Sequence, residues 1–125
     1  MKQFLFVMLG GSIGAALRYG ASLCASRWLG SALPGTLAVN TLGCFALGAV
    51  CALTQERLGC GLSEEARLFL SAGLLGALTT FSTLQWEIVT LLRAERWGWA
   101  LVYLLLSAVC GLLCTCIGYY LAHTR

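Results

Sequence analysis

Charge is what this sequence has least of: 10% of its 125 residues are Asp, Glu, Lys or Arg, and proline and histidine occur once each. With 59% hydrophobic residues and a mean hydropathy of +0.85, the chain carries more apolar surface than a soluble domain of this size hides. No residues gather into a hydrolytic triad, a phosphate loop or a nucleic-acid patch, so the sequence is not read as an enzyme or a nucleic-acid binder. A low-complexity tail and a second domain are also missing. A hydrocarbon core about 30 Å thick needs roughly 20 apolar residues per helical span. The chain therefore has room for about four spans, and residues 1–125 are read as a single all-α transmembrane domain.

The spans separate as Gln3–Ala25, Thr36–Leu53, Ala66–Leu92 and Trp99–Ala122. The N-terminal run "MKQFLFVMLGG" imitates a signal peptide but continues to Leu23 without a polar cleavage region, and is read as the first span. Pro34 beside Gly35 suits a turn entering a helix. Ser63 followed by Glu64 and Glu65 is an N-cap signature with acids in the first turn. Trp28, Trp86, Trp97, Trp99, Tyr19, Tyr119 and Tyr120 fall near span ends, where interfacial aromatics collect.

Seven cysteines cannot all pair internally. Cys24, Cys44, Cys51, Cys110, Cys114 and Cys116 lie within or at the ends of apolar spans and are read as small hydrophobes. Cys60, in a loop, is the one expected to be exposed. Positive charge normally sets orientation. Lys2, Arg57, Arg67 and Arg125 share one side, and Arg27, Arg93 and Arg96 the other. That near balance suits insertion both ways round and an antiparallel dimer about a two-fold axis in the membrane plane; a fixed single orientation is the alternative.

The polar residues inside the spans carry the remaining information. At about 1.5 Å per residue, a third helix starting at Ala66 reaches Gly76 after roughly 15 Å and Thr80 after roughly 21 Å, near mid-depth of a bilayer. Gly73 and Gly76 weaken a helix there, and Thr79, Thr80, Ser82 and Thr83 compete for local carbonyls. The third helix is therefore expected to break near the midplane, which lipid tolerates only inside protein or beside a wet cavity. Broken helices of this kind make ion sites; a stripe of small residues for close packing is the alternative.

On the first span Gly10 and Gly14 form a GxxxG face, and Arg18 lies within snorkelling range of the far interface, as an interhelical anchor or a vestibule charge. Asn40 on the second span either donates to an anion or joins helices. Phe81 either is core or offers a positive ring edge to an anion. Tyr103 and Ser107, at i and i+4, share one helix face. Glu87, about 31 Å from Ala66, is expected in a solvated position at an interface, and His123 at the surface.

Taken together, "GGSIGAALRY" (residues 10–19), "GTLAVNTLG" (35–43) and "GLLGALTTFST" (73–83), in that order on the first three spans, resemble the Fluc (CrcB) fluoride channel family. The resemblance implies a dual-topology homodimer in the bacterial inner membrane, with two antiparallel pores that export fluoride passively and select it over chloride. It implies that the backbone carbonyls of Gly76 and Thr79 from both subunits hold a structural Na+. It also implies that Asn40, Phe81, Tyr103 and Ser107 line the pore beside the hydroxyls of Thr80, Ser82 and Thr83. Arg18 and Glu87 match the family's first-helix arginine and the acidic residue after its phenylalanine motif. The family pattern usually ends "FSTF", and Leu84 stands where the second phenylalanine is expected. Some members work as heterodimers with one degenerate pore, so a paralogue is an alternative partner. A small multidrug exporter, also four-span and dual-topology, would need a carboxylate deep in the first helix, where this chain has Arg18.

Overall fold

The computed structural model describes residues 1–54 and 62–124. The expectations placed on Arg57, Cys60 and Arg125 fall outside them. Four helices are long and apolar enough to cross a membrane: Lys2–Leu29, Leu33–Leu53, Glu64–Arg93 and Trp97–His123. No strand occurs among the described residues. The first two are continuous α-helices, α1 (Lys2–Leu29) and α2 (Leu33–Leu53). The third consists of α3 (Glu64–Leu68), a π-helical segment (Phe69–Leu75), α4 (Gly76–Leu78) and α5 (Phe81–Arg93), and the chain ends with α6 (Trp97–His123).

The reversals follow local chemistry. Gly30 ends α1 at φ 71°, in the left-handed region that costs glycine least, and Pro34 occupies the first turn of α2. Ser63 caps α3 by accepting from the Ala66 N–H at 3.2 Å, with Glu64 and Glu65 in the first turn, as their sequence signature indicates. Between α5 and α6 the chain turns in three residues. Arg96 N–H donates to Leu91 O at 2.9 Å and Glu95 N–H to Leu92 O at 3.0 Å, with Glu95 itself at φ 57°.

Two helix pairs approach closely at glycine. A Cβ on Gly10 would strike the Phe69 carbonyl oxygen and one on Gly14 the Leu74 carbonyl oxygen, so the GxxxG face of α1 seats directly on the π-helical segment. Gly73 meets it from the other side: a Cβ there would lie 2.9 Å from Val7 O. Gly48 of α2 and Gly118 of α6 do the same for the second pair, against the Thr115 and Phe45 carbonyls. Backbones brought this close gain dispersion contacts, the main attraction left between helices in lipid.

Leu84, Ile88, Leu91, Ala100 and Tyr103 form a small buried core between α5 and α6. Large apolar residues such as Phe4, Leu101, Leu105, Leu112 and Leu113 are exposed on the outer faces, an arrangement stable in lipid and unstable in water. The six described cysteines are all free, with Cys24, Cys51 and Cys116 exposed.

Candidate functional site

Where α4 gives way to α5, the backbone of Thr79 (φ −79°, ψ 148°) and Thr80 (φ −148°, ψ 119°) is extended. The glycines that weaken the segment remain helical; the extended pair are β-branched threonines, which suit that conformation. Side chains replace part of what the helical ladder loses here, where apolar surroundings offer no water.

Asn40 of α2 supplies two of the replacements. Its Oδ1 accepts from the Thr80 N–H at 2.8 Å, and its Nδ2 donates to Thr80 O at 3.1 Å. One amide thus pairs with both polar groups of a single extended residue, as a neighbouring strand would. It leaves one N–H unused. Asn40 joins helices, and it also lines a groove between α2, α5 and α6.

The Thr80 hydroxyl starts α5. Its Oγ1 accepts from the Thr83 N–H at 3.2 Å, donates to Thr83 Oγ1 at 3.0 Å, and lies 3.3 Å from Ser82 Oγ. These three side chains form one hydroxyl cluster around the first turn of a 13-residue helix, whose N-terminal N–H groups carry partial positive charge. The Thr79 hydroxyl turns back and donates to Leu75 O at 2.9 Å. On the α4 side, Arg18 of α1 donates from Nε to Ala77 O at 3.1 Å, placing a cation where carbonyls converge. This is an interhelical contact, half-buried.

The same diversions free two carbonyls. In an unbroken helix Gly76 O would accept from the Thr80 N–H and Thr79 O from the Thr83 N–H. The first donor is taken by Asn40 and the second by the Thr80 hydroxyl. Gly76 is exposed and Thr79 half-buried. Among the described residues no group of three or more His, Cys, Asp or Glu could hold a metal ion; the polar atoms at the break are backbone carbonyl and side-chain oxygens. They are hard donors, suited to alkali and alkaline-earth cations.

Phe81 is 73% exposed on the single chain and lines the groove together with Asn40, Thr80, Leu84 and Ser107. Ser107 Oγ is buried and has no partner among the described residues. Such a hydroxyl is an available donor. Leu84 is 8% exposed: it backs the groove and belongs to the core.

Glu87 corrects an expectation. It is buried, with Oε1 accepting from Thr36 Oγ1 at 2.8 Å and Oε2 accepting from Tyr103 OH at 2.6 Å. Tyr103 OH also lies 3.2 Å from Leu33 O. Counting residues along an axis gave depth but not direction: Glu87 points inward between α2 and α6, while Trp86 beside it is exposed. Thr36, fully buried, was missed by sequence reading. The signal was present, because Thr36, Asn40 and Cys44 stand at i, i+4 and i+8 on α2 and share a face. Cys44 and Ser107 both line the groove.

Fold and site define a multi-pass membrane protein whose polar groups converge on extended backbone inside its third span. Residues 5–119 match the family described as "CrcB-like protein, Camphor Resistance (CrcB)", and the chain belongs to that family. It is 44% identical over 119 residues to the "Fluoride-specific ion channel FluC" of Chloroflexus aurantiacus (94% of this chain, 93% of the relative). It is 43% identical over 122 residues to the protein of that name from Thermus thermophilus (97% and 95%). A third relative of the same name, from Shewanella frigidimarina, is 44% identical over 126 residues (100% and 99%).

Proposed function

We propose that this chain is a passive fluoride channel and not an enzyme. It works as an antiparallel, dual-topology homodimer that lets fluoride leave the cytoplasm of a bacterial cell across the inner membrane. The names of the relatives support the ion. The observation that carries the mechanism is the doubly bonded Asn40–Thr80 pair beside an exposed Phe81.

A small anion enters a bilayer only where hydrogen-bond donors replace its water. Asn40, with its spare N–H, and the unpartnered Ser107 hydroxyl line one groove as such donors, with Thr80 beside them and the hydroxyls of Ser82 and Thr83 clustered on Thr80. The Phe81 ring adds a positive edge and excludes water. On this reading the extended Thr79–Thr80 stretch sits near mid-depth, where two antiparallel copies bring it together on their two-fold axis. Four carbonyl oxygens, from Gly76 and Thr79 of each copy, then hold a structural Na+, which offsets carbonyl repulsion at the axis. Arg18 stabilises the end of α4 beside it. Tyr103, Thr36 and Glu87 form one bonded unit at one end of the polar face, with Glu87 fixing both hydroxyls.

Purified chain in potassium-loaded liposomes should release fluoride, and not chloride, when valinomycin removes the charge limit. Equal release of both ions, or none with a monodisperse protein, would overturn the reading.

A further inference from the structure

We propose that the groove between α2 and the α5–α6 turn binds one anionic phospholipid, with an acyl chain in the groove and the headgroup phosphate on Arg96. The groove, about 340 Å³ in volume, is walled by Leu33, Leu37, Leu91, Val102 and Leu106, and Arg96 stands at its mouth. From Arg96 to Leu106 it follows α6 for about 15 Å, the depth of one leaflet of a 30 Å core. Its walls are mostly apolar, with Ser31 and Tyr103 the hydroxyl-bearing residues and Arg96 the charged residue of the lining, and the Tyr103 hydroxyl is already engaged by Glu87.

Charge complementarity selects the headgroup. The up-and-down order of the helices gathers Arg27, Arg93 and Arg96 at one end of the bundle, where Glu95 is the acidic residue of the connecting turn. None of the three arginines is ion-paired among the described residues. The Arg96 guanidinium lies 5.8 Å from the ring centre of Trp99, which also lines the groove and is 63% exposed. Aromatic rings of this kind settle at headgroup level. Arg96 is thus held over the mouth by a ring, with its donors left for a phosphate. The groove at the other end, between α1 and α3, has Lys2 and Glu65 together on its rim and lacks this bias.

The test uses the full chain carrying Trp28→Phe, Trp86→Phe and Trp97→Phe, so that Trp99 is the sole tryptophan. It is reconstituted into phosphatidylcholine liposomes containing a rising fraction of brominated phosphatidylglycerol or brominated phosphatidylcholine. Half-quenching of Trp99 should need about fivefold less of the anionic lipid, the preference expected of one arginine near a membrane surface. Arg96→Gln should abolish that preference, and Arg93→Gln, at the same end but outside the groove, should keep it. Equal midpoints in the parent, a preference surviving Arg96→Gln, or a preference lost equally in Arg93→Gln would overturn the proposal. Absence of quenching by either lipid would do so too, because a second copy of the chain would then cover the groove. If the triple variant does not fold, native mass spectrometry of the unmodified chain decides: phosphatidylglycerol should be retained over phosphatidylcholine, and no longer retained in Arg96→Gln.

Discussion

Asn40→Asp separates the two tasks assigned to one amide. An ionised carboxylate still accepts from the Thr80 N–H but cannot donate to Thr80 O, now 3.1 Å from Nδ2, so one half-buried carbonyl is orphaned at a cost of about 1 kcal/mol. A fixed negative charge about 4 Å from a passing fluoride adds about 4 kcal/mol of repulsion at an effective dielectric of 20, which is roughly a thousandfold in rate. Flux at pH 7.5 should therefore fall to background. Acid titration of the variant protonates the side chain. The acid O–H then donates to Thr80 O while its carbonyl accepts from the Thr80 N–H, and the bonded pair is rebuilt. What the acid lacks is the spare N–H. In that protonated form the variant should recover wild-type thermal stability but only about a tenth of wild-type flux, for one lost donor worth about 1.4 kcal/mol. The assay is fluoride release from liposomes, read with an electrode beside a wild-type control at each pH. Normal flux at pH 7.5 would refute the reasoning entirely. Full recovery of flux in the protonated form would reduce Asn40 to the bond it makes with Thr80.

Gly10→Ala should destabilise the folded chain by about 1–3 kcal/mol through overpacking against the Phe69 carbonyl. Gly11→Ala, whose Cβ meets nothing within 4 Å, should be neutral or stabilising by up to about 1 kcal/mol; unfolding in a mild detergent compares the neighbours directly. Replacing Glu95, held at φ 57°, by glycine should stabilise by about 1 kcal/mol in the same measurement. Near-equal basic counts at the two ends lead to labelling of Cys60 from both faces of sealed vesicles in a background without the other cysteines; labelling from one face alone would exclude the antiparallel dimer.

Span number was legible because apolar run length is a one-dimensional property. Pro34 and Ser63 marked helix starts because their mechanisms are local. Asn40 and Thr80 could each be picked out as polar residues in apolar runs, but their pairing spans 40 positions and depends on how α2 packs beside α5. The π-helical stretch at Phe69–Leu75 has no local signature in its residues. Gly73 read as a helix weakener serves instead for close approach to Gly10, and the extended backbone falls on threonines. Glu87 shows the same boundary: its depth could be counted, but its inward direction depends on Thr36 and Tyr103, which come from two other helices.

Leu84, where the sequence departs from the pattern it resembles, is also where the packing constrains the outcome. The side chain touches the buried cluster of Ile88, Leu91 and Tyr103 on one side and the groove on the other. A phenylalanine at this position cannot enlarge the core side without overpacking, at about 1–3 kcal/mol, so its ring must turn into the groove, near Phe81. There it would supply a second positive edge. The gain is bounded, because Asn40, Ser107 and the Thr80 cluster already provide donors. Taking about 0.5–1.5 kcal/mol for an aromatic contact, the change in flux should be at most about tenfold. The unmodified chain should therefore conduct as a homodimer, Leu84→Phe should change its flux by no more than that factor, and Phe81→Ile, which removes the one ring lining the groove among the described residues, should lower it by up to the same factor. Flux from liposomes containing each variant alone decides between the cases. A silent wild-type chain, revived by Leu84→Phe or by adding a second paralogous subunit, would mean that two rings are required and that this chain supplies one half of the site.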